Sequence, residues 1–283
     1  MSIATNAMMV ELNIGNWTAN KLDRTVSEEV DAQKGTKTRA GNYRKNILAD
    51  AKELIAIQKH VGNVRNWHYR MTTPWSDSGL RLLTLKQYIK YTEELNAHAA
   101  EFETLKRNFV TRYPDLISEM AFKIGDLFNR DDYPSIDQVE RKFYFSVNYY
   151  PVPLSGDWRV DVSNEMKAEL EQQYEKHYNE KVNTMMADLW GRLHKSLTSL
   201  ADRLEMDEGG DKKIFRDSLI TNANELCGLL SNLNATNDPK LEEARKDLER
   251  AIAGVTAKDI RESVLIRQDV HARVTEIIKK FDF

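Results

Sequence analysis

The chain has 283 residues, 41% hydrophobic and 30% charged, with a mean hydropathy of −0.60. That is enough apolar material to bury a core, as one large domain or two medium ones. A formal charge of −3 and a pI of about 6.1 exclude general affinity for nucleic acid or membranes, so only a local patch could supply one.

A single cysteine, Cys227, excludes an intrachain disulfide and a cysteine-rich zinc site. No apolar run reaches the ~18 residues of a membrane span. The opening MSIATNAMMVELN has no basic leader before an apolar segment, so a cytoplasmic location is expected, without a secretory signal.

From Met8 to Ile14 the residues Met8, Val10, Leu12 and Ile14 alternate with Met9, Glu11 and Asn13, the period of a strand. Gly15 to Val30 is polar and reads as a surface loop anchored by Trp17. Residues 34–70 hold nine basic residues against two acidic ones, a local +7 that leaves about −10 for the remainder. A helix is expected from about Asn42 to His60, carried by Ile47, Leu48, Ala51, Leu54 and Ile55, with Gly62 stopping it. Trp67 to Gly79 reads as a loop from its Pro, Ser, Asp and Gly.

Thr84 and Gln87 have the spacing of a capping box. Behind them Tyr88, Tyr91, Leu95, Phe102, Phe109 and Tyr113 form a stripe along a helix of roughly 45 Å, which Pro114 kinks or breaks. Asp115 to Phe128 is expected as a further helical piece. Ser135 with Gln138 repeats the capping box ahead of the run Arg141 to Pro153 (RKFYFSVNYYPVP). There Phe143, Phe145, Val147 and Tyr149 share one face of a strand that Pro151 and Pro153 end. A lone strand leaves its backbone groups unpaired, so a two-stranded antiparallel element is expected, with strands at about 8–14 and 142–150.

Asp161 or Ser163 caps the longest helix, whose apolar seam runs from Met166 through Tyr174, Val182, Leu189 and Leu197 to Leu204. The partner expected for this seam is the helix from Thr84 to Tyr113, packed antiparallel as a coiled-coil-like arm. Glu208-Gly209-Gly210-Asp211 reads as a linker, which divides the chain into residues 1–207 and a three-helix portion, 211–283, packed on them. Those helices are expected at Lys212 to Leu233, Pro239 to Ala253 and Lys258 to Phe281. Asp238 and Pro239 open the second, and Thr256 with Asp259 the third. The fold class expected is mainly α: an elongated helical bundle or coiled-coil-like arm with a small two-stranded antiparallel β element.

Motifs that carry chemistry are missing from the sequence. It has no GxxxxGK[ST] or GxGxxG loop, no HExxH and no GxSxG elbow. The six histidines are scattered, and His177 and His194 on the longest helix are about 25 Å apart, too far to share a metal unaided. Each histidine reads as a surface or satisfied core residue, and Cys227 in LCGLL reads as a buried, inert thiol. No catalytic residue, metal or cofactor is expected.

The basic segment is the candidate surface. Lys34, Lys37, Arg39, Arg44 and Lys45 cluster around Tyr43, and Arg65 and Arg70 flank Trp67. Cations interleaved with aromatics suit single-stranded nucleic acid, which needs backbone neutralisation and stacking platforms. The alternative is that these cations offset the acidic remainder across an interface.

Three stretches resemble a phage and prophage family known as domain of unknown function 3150: LNIGNWTANKLD (Leu12 to Asp23), EFETLKRNFVTRYPDLI (Glu101 to Ile117) and VERKFYFSVNYYPVP (Val139 to Pro153). KGTKTRAGN (Lys34 to Asn42) extends the similarity, and the order and spacing of the segments carry it. Genes of that family often lie near a MoxR-type AAA+ ATPase and a cobaltochelatase-like von Willebrand A protein. What the resemblance implies is a partner and no catalytic residue. The function expected is a non-enzymatic phage protein in the host cytoplasm, an adaptor or scaffold for an AAA+ assembly, or one that self-associates. A nucleic-acid-binding accessory protein is the alternative.

Overall fold

Apolar residues recur at helical spacing over most of the chain and at strand spacing only in short runs. The computed structural model describes residues 3–77, 79–153, 163–206 and 212–281, and the protein is mainly α with a small antiparallel β element. In order, the elements are α1 (Ile3–Asn6), β1 (Ala7–Ile14), β2 (Asn20–Asp23), α2 (Arg24–Gln33), β3 (Tyr43–Asn46), α3 (Lys52–Met71), β4 (Thr73–Pro74), β5 (Arg81–Thr84) and α4 (Leu85–Lys123). After them come α5 (Ile136–Glu140), β6 (Phe145–Pro151), α6 (Asn164–Leu204), α7 (Asp217–Leu233), α8 (Pro239–Ile252), α9 (Ala257–Glu262) and α10 (Val264–Lys280).

The expected pairing of the first strand with the aromatic strand is present. Two further strands join it, giving a four-stranded sheet in the order β4-β5-β1-β6. β1 meets β5 antiparallel, from Ala7 opposite Thr84 to Val10 opposite Arg81. On the other side the Gly15 amide donates to the Tyr144 carbonyl at 2.8 Å. The Asn148 side-chain Nδ2 and the Tyr150 hydroxyl donate to the Glu11 carboxylate at 3.4 and 3.3 Å. Phe143 is buried, Phe145 and Val147 are half-buried, and Tyr144, Ser146 and Asn148 are exposed, the alternation of a strand. A separate two-stranded sheet pairs β2 with β3, Asn20 opposite Asn46.

Contacts divide the chain into two compact units, Met1–Glu11 with Tyr69–Tyr91 and Asn148–Phe283, and Leu12–His68 with Thr92–Val147. The boundary expected at the 208–211 linker is not where the units part, and that linker lies outside the described residues, as does Asp161. The reason is packing. In the first unit Leu189, Leu193, Leu197, Leu200 and Leu204 of α6 share one core with Ala223, Leu230, Leu248, Val270 and Val274. The seam offered to the helix at 84–113 is thus covered by α7, α8 and α10. Its N-terminal part is more open, Met166 being exposed and Tyr174 and Val182 half-buried.

Arg267 of α10 closes this core. It is fully buried and donates to the carbonyls of Leu204 at 2.8 Å and Lys213 at 3.0 Å, so a guanidinium caps the C-terminal end of α6. Burial holds its pKa below the ordinary value.

In the second unit Trp17, Phe109, Tyr113 and Phe143 pack edge to face or tilted, with ring centroids 5.4 to 6.4 Å apart, and Phe102 meets Phe145 at 5.6 Å.

Several boundaries differ from expectation. Residues 15–30 contain β2 and most of α2, begun by Asp23, whose carboxylate accepts from the Val26 amide at 3.2 Å. The helix placed at 42–60 runs instead from Lys52 to Met71. Gly62 does not stop it, because Leu54, Ile57, Val61, Val64, Trp67 and Met71 are all buried on its inner face. That burial outweighs the ~1 kcal/mol cost of a mid-helix glycine and takes in the Trp67 loop. Pro114 lies inside α4 on its exposed face, opposite the buried Tyr113, Leu116, Ile117 and Met120, so the helix continues. The last expected helix is two, because Ser263 ends α9 and its hydroxyl accepts from the Ile266 amide to start α10. Thr84 donates its hydroxyl to the Asn232 carbonyl at 2.8 Å, and Gln87 turns to Met71 and Asn232. The capping boxes at Ser135 and Thr256 form as expected, as does the Asp238 cap.

The approach of β1 to β6 allows no side chain at Gly15. A Cβ there would fall on the Tyr144 ring and within 2.7 Å of the Lys142 carbonyl. Gly15→Ala should therefore lower stability by about 1–3 kcal/mol, read as a lower urea midpoint with an unchanged slope.

Candidate functional site

The nine residues singled out in the basic segment do not form one surface. Lys34, Lys37, Arg39 and Arg44 are exposed, and Tyr43 is 39% exposed beside them. Arg65 is exposed, and its guanidinium donates to the Ile14 carbonyl at 2.9 Å. Lys45 and Trp67 are buried. Trp67 donates its indole N–H to the Glu94 carboxylate and lies edge-on to His98, with centroids 4.9 Å apart, so no face is free for a base. Arg70 belongs to the other compact unit, where it approaches Glu225 at 4.0 Å.

Lys45 is held by β3 and faces inward against three acceptors: Asp23 at 2.9 Å, Asp132 at 2.8 Å and the Leu127 carbonyl at 2.9 Å. Lys21 adds a second cation, 2.6 Å from Asp132. Burial alone would lower the Lys45 pKa, but the hydrogen bonds with Asp132 and Asp23 outweigh it and the pKa rises. Burial likewise opposes ionisation of Asp132, and the bonds from Lys21 and Lys45 reverse that, so its pKa falls. Asp23 falls too, chiefly through Lys45. These groups are paired with one another.

A groove of about 580 Å³ lies in the first unit between α6 and α7. Leu200, Leu219, Leu226 and Leu229 form its apolar floor, and Tyr69, Arg70, Lys195 and Glu225 stand around it. The end of α3 is fixed there by Arg192, which donates to the carbonyls of Tyr69, Arg70 and Thr72 at 2.8 to 2.9 Å. Those are the carbonyls that a helix C-terminus leaves open, and a guanidinium suits them. Tyr69 is 52% exposed and carries Arg81 over its ring at 4.9 Å.

One cluster escaped sequence reasoning. His60 of α3 and His98 and Glu101 of α4 each place a donor atom within 4.8 Å of the others. The only signal was the i, i+3 spacing of His98 and Glu101; His60 comes from another helix. Burial, then the neighbouring His60, holds the His98 pKa below its ordinary value.

No family model, curated protein or solved structure matches the chain. Its chemistry is therefore read from the residues alone. Cys227 is buried in α7 with its thiol pKa pushed up to about 11, chiefly by burial, so the thiolate is scarce at neutral pH. No described helix is long and apolar enough to cross a membrane.

The Lys45 cluster sets a pH window. The depressed carboxylates contribute fully above the ordinary Asp pKa of about 3.9, and that contribution is lost as pH falls through their lowered values. Lys45, with its raised pKa, contributes fully below about 10.4 and loses its contribution as pH climbs through the raised value. Lys45→Met should cost about 2 kcal/mol at neutral pH, less than a fully enclosed pair because Lys21 is half-exposed. Its urea midpoint should also fall less than the wild type's between about pH 5 and pH 3.

Proposed function

We propose that the protein acts without catalysis, as an adaptor or scaffold that holds a partner helix in the α6–α7 groove within an assembly driven by an AAA+ ATPase. The groove carries this reading: four leucines line it together with three cations, Arg70, Arg192 and Lys195, and one acid, Glu225. Such a surface fits an amphipathic helix with leucine-like anchors at i, i+3 and i+7 and an acidic flank. Rim cations set orientation and on-rate, and the leucine floor supplies the affinity. The ATPase follows from the resemblance of the segments at 12–23, 34–42, 101–117 and 139–153.

Co-purification with a MoxR-type AAA+ ATPase, of the kind encoded near genes of the family these segments resemble, tests the proposal. Leu226→Glu places a charge on the floor and should weaken capture at least about tenfold. Arg70→Glu, at an exposed position that leaves the core intact, should slow association and reduce its salt dependence. Failure to capture the ATPase, or capture indifferent to both variants, would sink the reading.

A second reading keeps the exposed part of the basic segment. Lys34, Lys37, Arg39 and Arg44 are exposed, as is Tyr43 in the same segment, and exposed cations with an aromatic ring suit a single-stranded phosphate backbone. These cations can neutralise at most about four phosphates, so log K should fall against log salt with a slope no steeper than about −3. Absence of oligonucleotide binding at low salt would remove this reading.

A further inference from the structure

His60 is buried in α3, and its two ring nitrogens meet groups of one kind. Nε2 lies 2.9 Å from the His98 carbonyl oxygen, which can only accept, so Nε2 carries a hydrogen. In the neutral ring Nδ1 is then a lone pair, and it faces the Glu101 carboxylate oxygen at 3.4 Å. Two acceptors aimed at one another repel unless a cation lies between them. A proton on Nδ1 could serve, yet a charge-assisted N–H···O bond closes to about 2.7–2.9 Å. Two ligand atoms each about 2.1 Å from a tetrahedral metal are about 3.4 Å apart, the separation of His60 Nδ1 from the Glu101 oxygen, and the three donors lie within 4.8 Å of one another. The His98 ring completes the set, with its centroid 5.6 Å from that of His60.

We propose that His60, His98 and Glu101 bind one borderline-soft divalent cation, Zn²⁺ foremost, and so fasten α3 to α4. Two imidazoles and one carboxylate form the donor set that Zn²⁺ takes from three protein ligands, with water in a fourth position. Glu101, whose side chain is 61% exposed, provides the open side through which metal and water arrive. The Nε2–H bond to a backbone carbonyl is the outer contact that metal-bound imidazoles usually make, fixing tautomer and ring orientation. His60 and His98 lie 38 residues apart in sequence and are brought together by the packing of α3 on α4.

Isothermal titration of the full, chelator-stripped protein with Zn²⁺ tests the site, with Co²⁺ as a spectroscopic probe. The expected result is saturable binding of one ion per chain, a rise in Tm, and the visible absorption of Co²⁺ in low-symmetry coordination. His98→Gln and Glu101→Gln should each weaken binding by more than about tenfold. Glu101→Gln is the decisive variant, since an exposed substitution leaves the fold in place while removing one ligand. His177→Gln, which breaks a second histidine–glutamate pair at 3.4 Å, should bind as the wild type does. Absence of saturable binding overturns the proposal, as does binding unchanged in Glu101→Gln or lost in His177→Gln.

Discussion

A strand in a mostly helical chain must find hydrogen-bond partners far away in sequence, and β1 finds two. It lies between β5 and β6, so its amides and carbonyls are paired on both sides, by residues some 70 and 130 positions later. That requirement draws the start of α4 and the aromatic run at 143–151 to the opening residues. It also explains the small residue that follows β1. At Gly15 the chain bonds to the Tyr144 carbonyl at 2.8 Å while the Tyr144 ring occupies the place of any Cβ. The contact is close because backbone meets backbone with no side chain between.

The second organising feature is apolar. Half of α6 carries leucines every three or four residues, and a seam of that density must be covered or it becomes an aggregation surface. The C-terminal helices cover it from Leu189 to Leu204, and Arg267 fastens them to the end of α6 through carbonyl groups. A buried guanidinium without a carboxylate partner is tolerable there because open carbonyls at a helix end carry partial negative charge. For the same reason α7, α8 and α10 belong with α6 despite the glycine pair that precedes them.

Signals confined to a few residues were legible in the sequence. The Ser135–Gln138 and Thr256–Asp259 boxes, the Asp238–Pro239 start and the alternation at 143–147 all appear where residue chemistry places them. What could not be read was any outcome decided by a distant partner. Gly62 looks like a stop until the inner face of α3 is seen to be buried on either side of it. The leucine seam of α6 fits any apolar helix, so the sequence cannot say which one covers it. Strands β4 and β5 are two and four residues long, too short for a period to show. The candidate surface fared alike: Lys45 and Trp67 are indistinguishable from their exposed neighbours by spacing, and burial alone separates them.

Counting donors against acceptors then tells a structural cluster from one able to take a ligand. The Lys45 ammonium has three hydrogens and meets three acceptors within 2.9 Å, so its valence is filled by the fold. A cation brought to Asp23 and Asp132 would have to displace a lysine already bound. His60 stands differently. One of its nitrogens is committed to a carbonyl, the other is aimed at a carboxylate, and a second imidazole adds a further lone pair. Acceptors there outnumber the hydrogens that neutral rings can supply, a balance that suits a bound cation. The two clusters share a unit, yet the first is an enclosed set of ion pairs and the second, with Glu101 exposed, has lone pairs to offer a cation.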